Sequence, residues 1–402
     1  MKEFPVMDQL VPAVRHYSWG SRSLIPQLLG QPESSQPVAE LWYGAHPAAP
    51  SQLGGQRDAH GASMGLDAYL QQHPQQLGPH AETGLPFLLK LLAADEVLSL
   101  QAHPSMEQAR EGFARENSLG IDLDAASRNY KDASHKPELI VALTPFYAMA
   151  GFRPLAQTLE LFAALGSPEL DRYLGMVSTD DEEASLQALF TTWITIPAAA
   201  RRELISSVVD AAPRVPSGWM SQVMDTVLEI HQQYPGDIGV LGALLLNHVQ
   251  LQPGEAVFLA AGQLHAYVRG LGVEVMANSD NVLRGGLTSK NVDVPELVKV
   301  LSFGALAQPQ VHAQQAADTP AGVEAWEYPV PVEEFNVTRY ECSPGAQGEL
   351  LATGPAIALC TSGELQIGQL RLNPGDAAWI PADTPAPHFT TPTGAQFFLA
   401  YA

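Results

Sequence analysis

The chain has 402 residues, too many for one compact core, so two or three domains are expected. A hydrophobic content of 46% against 16% charged residues describes a folded globular protein, and 33 glycines with 32 prolines suit many short strands joined by turns. The formal charge of −22 excludes a surface that broadly attracts nucleic acid or anionic membrane, yet leaves room for a small anion wherever a few basic residues share one cleft.

Met1 to Gln9 contains no apolar signal-peptide core, and the longest apolar stretch, residues 238–246, is far short of a membrane span. The expectation is a cytoplasmic protein. Residues 85–100 read as strands around an Asp95-Glu96 turn, with Lys90 among apolar neighbours. Pro137 disfavours helix just before it, so Glu138 begins a strand that runs through the β-branched pair Ile140 and Val141. From Pro154 the period changes: Leu155, Leu159 and Phe162 recur at helical spacing, as do Leu186, Leu189 and Phe190. Thr179 and Glu182 form a candidate capping box before the second run. A further helix carries Val223, Val227, Ile230 and Tyr234 and stops at Pro235-Gly236. Residues 154–235 are therefore read as a helical insertion with a structural role. Strands return after Pro253-Gly254, with a helix-like stretch at 295–301 and a Pro/Ala/Gln-rich connection at 306–320. The expected division is 1–153 with 236–305 as one domain, 154–235 as the insertion and 306–402 as a C-terminal barrel. Cys342 and Cys360 allow no disulfide framework and read as core thiols.

One internal repeat stands out. Pro253-Gly254-Glu255, then Val257-Phe258-Leu259, then Gly262-x-x-His265 is matched by Pro374-Gly375-Asp376, Ala378-Trp379-Ile380 and Asp383-x-x-Ala386. This resembles the second motif of the cupin fold, once with its metal histidine and once without. The fold expected is mainly β: two cupin-type jelly-roll barrels, the C-terminal one metal-free, interrupted by an α-helical domain.

Metal chemistry is expected in the first barrel. On the alternating stretch 99–103, period-2 geometry places Ser99, Gln101 and His103 on one face. Inward-facing polar groups beside leucine-rich sequence need partners, and a metal supplies one. With Glu138 and His265, the candidates Gln101 and His103 complete a set of two nitrogen and two oxygen ligands, suited to zinc, iron or manganese.

Gln101-Ala102-His103-Pro104, Ser134-His135-Lys136-Pro137-Glu138, Gly262-Gln263-Leu264-His265-Ala266-Tyr267 and the run from Ser279 through Arg284 to Thr288 resemble the signatures of type I mannose-6-phosphate isomerases. So do Tyr17-Ser18-Trp19-Gly20, Ala39-Glu40-Leu41-Trp42, Gly44-Ala45-His46-Pro47 and Leu85-Pro86-Phe87-Leu88-Leu89-Lys90. The resemblance spans nearly the whole chain in the family's order. It implies one Zn2+ per subunit at the four ligand positions, conversion of mannose 6-phosphate to fructose 6-phosphate, and a place in carbohydrate metabolism towards GDP-mannose. The partner implied is a small sugar phosphate, with no nucleic acid or membrane, and the chain is expected to be a monomer.

Such an isomerisation moves a proton between adjacent carbons through an enediol, and needs a base, polarisation of the carbonyl and an anchor for the phosphate. Lys136, two residues before Glu138, becomes a usable base or acid beside a dication. The resemblance points to Arg284 as catalytic, and its fork suits an enediolate or the sugar. Glu274 and Asp280 are alternative proton carriers that the sequence does not rank against Lys136. Lys90, Ser99 and Lys290 are candidates for the phosphate, with Tyr267 and His135 as further substrate contacts.

Two rivals remain. His103, Glu138 and His265 alone make the triad of an iron-dependent cupin oxygenase, and a non-catalytic sugar-binding cupin would carry the same motifs. Two tempting motifs fail. Gly61-Ala62-Ser63-Met64-Gly65 matches a nucleophile elbow but comes after the polar run Gly54 to His60, and Gly270-Leu271-Gly272 lacks the third glycine of a dinucleotide fingerprint.

Overall fold

The computed structural model describes residues 7–57 and 61–402. Most of the Met1–Gln9 segment read for a signal peptide, and the end of the Gly54–His60 run, lie outside the described residues. The architecture is mainly β with a helical insertion, as expected.

The metal-type barrel is built around the strand Phe87–Ala94, whose eight residues are all buried. Leucine-rich sequence with one lysine is what a strand covered on both faces requires. It pairs with Glu40–Tyr43 on one side and with His265–Ala277 on the other. The latter, thirteen residues long, closes the barrel. Its first part pairs with Leu100–Ala102 and Phe146–Phe152, its second with Glu138–Ala142 and Phe87–Ala94. The corner between the two parts is Gly270, at φ 124°, where an added Cβ would lie 2.8 Å from both a Phe146 ring carbon and the Pro145 carbonyl. Only glycine turns the strand there.

The second barrel packs a nine-stranded sheet, containing Val323–Glu327, Asn336–Cys342, Ala395–Tyr401, Ala356–Gly363 and Ala377–Ile380, against a four-stranded sheet over one shared core. The nine-stranded sheet also takes in the chain's beginning. Asp8–Val11 pairs antiparallel with Ala377–Ile380, and Gln52–Arg57 continues outward from it. Sheet pairing therefore crosses the boundary expected at residue 306, because strand period reports which face is buried and says nothing of the partner. A shared core explains the arrangement: Leu10, Phe87, Leu89 and Val273 pack with Ile357, Trp379 and Phe398. Buried bridges pin the contact, Tyr43 Oη donating to the Gly375 carbonyl at 2.7 Å and Trp379 Nε1 to Gln76 Oε1 at 3.1 Å. The connection at 306–320 is stitched at both ends, Gln310–Val311 to Ala256–Leu259 and Gln314–Gln315 to Val323–Glu327.

The insertion contains Leu155–Leu165, Pro168–Leu174, Glu182–Ile194, Ala198–Ala211 and Trp219–Gln233. Their apolar faces enclose Phe162, Leu189, Trp193, Val208 and Val227 in one core. The cap read at Thr179 is corrected: Asp181 caps the helix, accepting from Ala184 N at 3.1 Å, and Glu182 accepts from Leu155 N at 2.9 Å. An acidic side chain satisfies the free N–H groups as well as threonine does and also favours the helix dipole. A helix missed by apolar period, Met106–Ser118, carries a full capping box from Ser105 and Gln108. Among the described residues no helix is long and apolar enough to cross a membrane.

Candidate active site

Three strands bring the ligand candidates together. His265 opens the long strand directly opposite Gln101, and Glu138 begins its neighbour. His103 lies just past the short strand Leu100–Ala102 and is completely buried. The result is a compact triad. His103 Nε2 and His265 Nε2 each lie 3.4 Å from a different oxygen of Glu138, and the three ligand atoms fall within 4.8 Å of one another.

The outer ring nitrogens fix what the inner ones present. His103 Nδ1 donates to the Asn281 carbonyl at 2.7 Å, and His265 Nδ1 to the Gln263 carbonyl at 2.9 Å. A carbonyl only accepts, so each neutral ring aims a lone pair at the carboxylate. Burial holds His103 below its ordinary value despite the pull of Glu138, so the neutral ring is favoured. Its Nε2 is buried with no hydrogen-bond partner. Lone pairs converging on a carboxylate are repulsive unless a cation lies among them, and a divalent ion with nitrogen and oxygen preference fits this set. Burial acts to raise the Glu138 carboxyl, but the charge of Lys136 beside it pulls the other way, and the group is held well below the usual carboxylate range.

Residues flanking the triad line a cleft of about 880 Å³. Ser99, Gln101, Lys136, Lys90, Asp280, Arg284 and Lys290, all singled out from sequence, lie on its wall. Gln101 Nε2 donates to Ser99 Oγ at 3.2 Å, and Lys136 Nζ lies 2.9 Å from Glu138 Oε1. Arg284 stands opposite Gln101 in the strand ladder and lines the cleft, and burial lowers its pKa.

Other candidates are placed differently. Lys90 is held by Glu274 at 2.9 Å and Glu40 at 3.6 Å; burial disfavours its charge, but these carboxylates raise its pKa on balance. Glu274 also accepts from Tyr267 Oη at 2.8 Å. Glu274 and Tyr267 are thus committed to a buried network behind the cleft, and neither lies on its wall. His135 turns the other way, its Nε2 lying 2.5 Å from Glu334 Oε1.

Sequence reasoning missed several participants. Asn281 is buried and ties two loops together, its amide donating to the Asp132 and Ser134 carbonyls at 2.9 and 2.8 Å while its own carbonyl holds His103. An asparagine in an Asn/Asp/Gly loop reads as a turn former, so only the fold reveals this hub. His46, 3.5 Å from Asp280, lines the cleft, and burial lowers its pKa. Arg201, Gln233 and Tyr234 reach the same wall from the helical insertion, whose apolar period by itself points only to a structural role.

The comparisons agree with this geometry. Family models described as phosphomannose isomerase type I, catalytic domain and helical insertion domain, match residues 7–155 and 166–246. The mannose-6-phosphate isomerase of Escherichia coli is 37% identical over 391 residues, covering 94% of this chain and 95% of that protein. Mannose-6-phosphate isomerase 1 of Arabidopsis thaliana is 32% identical over 402 residues, covering 92% and 88%. The crystal structure of the Salmonella typhimurium mannose 6-phosphate isomerase bound to its substrate fructose 6-phosphate and zinc superposes with a TM-score of 0.85. It is 34% identical and covers 99% of both chains. Matched by both family models, over 94% of its length in sequence and 99% in fold, the chain belongs to the phosphomannose isomerase type I family.

Proposed function

We propose that the chain is a zinc-dependent aldose–ketose isomerase interconverting mannose 6-phosphate and fructose 6-phosphate. The observation that carries this is the buried His103–Glu138–His265 triad with its lone pairs converging beside a polar cleft. Gln101, at the cleft wall opposite His265, is the fourth ligand in this reading. Zinc held there supplies Lewis-acid polarisation of the oxygens at the reacting end of the sugar.

The chain's own groups perform the rest. Lys136, on the wall and 2.9 Å from Glu138, moves the proton between the adjacent carbons. Arg284, fixed in the ladder near the triad, stabilises charge on the enediolate. Asp280 is the exposed alternative carrier, paired with His46. Glu274, buried against Lys90 and Tyr267, acts by holding Lys90 in place. With the Lys90 charge already answered by two carboxylates, the phosphate falls to Lys290. Ser99 holds the Gln101 amide, and His135 links the loop before Glu138 to Glu334.

The catalytic unit in this account is 1–153 with 236–305. The insertion at 154–235 walls the cleft, and the C-terminal barrel accepts strands from the chain's beginning. The protein acts as a cytoplasmic monomer. The oxygenase reading needs an open metal face and has no use for cations beside it, while the binding-only reading leaves Lys136 without a task. Incubation of the purified chain with mannose 6-phosphate tests the proposal. Fructose 6-phosphate should form, formation should stop with chelator and return with zinc, and no oxygen should be consumed. Oxygen uptake, or sugar binding without turnover, would contradict it.

A further inference from the structure

Cations on the cleft wall fall into two groups. Lys90 and Lys136 each pair closely with a carboxylate, at 2.9 Å from Glu274 and Glu138 respectively. Arg284, Lys290 and Arg201 have no carboxylate within 4.0 Å among the described residues, and all three line the same cleft. In a chain of net charge −22, unpaired cations gathered in one hollow cost stability unless an anion joins them. Lys290 records that cost. Burial lowers its pKa, and Arg284 and Lys131 lower it further.

Arg201 is the unexpected member. It lies in the first turns of Ala198–Ala211, a helix whose opening turn holds no acidic residue. A cation there opposes the helix dipole, so packing within the insertion gives no reason for it. Its Nε is buried and has no hydrogen-bond partner. The loop carrying Arg284 and Lys290 is tied to the end of the insertion through Asp237, whose Oδ1 accepts from both Leu287 N and Gly239 N at 2.7 Å. That contact holds Leu287 at φ 54°, a left-handed conformation that a leucine rarely adopts. Asp237 lines the cleft too, but the oxygen bonded to these amides is committed.

We propose that Arg201 of the helical insertion is a phosphate-binding, specificity-determining residue that joins Lys290 at the end of the cleft away from the proton transfer. The inference rests on the isomerase reading above and assigns the insertion a part in substrate choice. An arginine fork on the phosphate adds uniform binding, which appears in KM and leaves turnover alone.

The test compares Arg201→Gln, Arg201→Lys and, as a control on the exposed side of the same helix, Arg202→Gln. KM for mannose 6-phosphate and the inhibition constant of inorganic phosphate should both rise about tenfold or more in Arg201→Gln. They should rise less in Arg201→Lys and stay unchanged in Arg202→Gln, with kcat and zinc content preserved throughout. Unchanged KM and phosphate inhibition in Arg201→Gln would overturn the proposal, as would a fall in kcat alone. Should the glutamine variant fail to fold, Arg201→Lys decides: wild-type constants there, shared with Arg202→Gln, count against a fork on the phosphate. Binding of inorganic phosphate to the wild-type chain, measured directly by calorimetry, separates the two failures. Arg201-dependent phosphate binding without isomerase activity would sink the isomerase reading and leave this anion site standing.

Discussion

The two barrels share one turn and diverge in the side chains beyond it. Gly254 and Gly375 both sit at φ 88°, and their N–H groups donate at 2.8 Å to the carbonyls of Ala142 and Cys360, each in an earlier strand of its barrel. Glu255 Oε2 accepts from Gln252 N at 2.8 Å, and Asp376 Oδ2 from Asn373 N at 2.9 Å. Beyond the next strand one barrel presents His265 and the other Ala386. The metal-type barrel fills its middle with His103, Glu138 and His265. The other packs aromatic rings there, Tyr340 stacked on Phe397 at 4.6 Å and Phe389 edge-on to Phe397 at 5.2 Å, beside a cavity of about 410 Å³ that Ala386 lines. The framework is thus neutral toward chemistry. A handful of inward side chains decides whether a barrel holds an ion or a hydrocarbon core.

Substitutions at the paired positions bear on that difference most strongly. His265→Ala should lose zinc and activity together, to background, because the remaining histidine and carboxylate no longer close the site; metal analysis of the dialysed variant checks it, and full zinc content would remove His265 from the ligand set. The reciprocal change, Ala386→His, should bind no second metal: carboxylates such as Glu327 and Glu349 line the same cavity, but among the described residues ligand atoms converge closely enough to hold an ion only at His103, Glu138 and His265. A second equivalent of zinc in that variant would mean the barrels differ by less than their cores suggest.

Arg284→Ala should have the next largest effect. Loss of a charge-stabilising donor lowers turnover by about 10²–10³-fold with a smaller change in KM. Zinc should be retained, because a protonated guanidinium has no lone pair to give. A raised KM with turnover intact would move Arg284 to the phosphate end beside Lys290.

The smallest effect concerns acid stability and again separates the regions. His248, on the strand Leu246–Leu251, is half-buried; removal of its ring from water holds it to about 4, against the opposing pull of the Ala243 carbonyl 2.8 Å from its Nε2. A histidine depressed below its ordinary value of 6.5 binds more protons when unfolded. Stability should therefore fall as pH drops through 6.5 towards about 4. The exposed His388 of the other barrel serves as the control. Denaturant melts of His248→Gln across that window should show a shallower decline than wild type, whereas His388→Gln should track wild type.

Much of this was legible in sequence because metal sites use few residue types at fixed strand positions. Period 2 around Gln101 and His103, the turn repeat before His265 and the proline before Glu138 each encode local geometry, and the fold brings those residues together. Asn281 was hidden because its role runs through a main-chain carbonyl that any residue possesses. Arg201 was hidden because an arginine near a helix start looks like a solvated surface charge until another domain's cleft is seen to face it. Lys90 and Glu274 read as separate polar residues, and only strand register places them opposite each other. Asp8–Val11 gave no hint that its partner lies almost at the other end of the chain.

The most direct test of the central claim, one metal in one barrel, is a crystal of the zinc-loaded chain measured across the zinc absorption edge. The account predicts a single anomalous peak about 2.0–2.2 Å from His103 Nε2, His265 Nε2 and an oxygen of Glu138, with Gln101 in reach. A peak among Tyr340, Phe389 and Phe397, or none at the His103–Glu138–His265 triad, would contradict it.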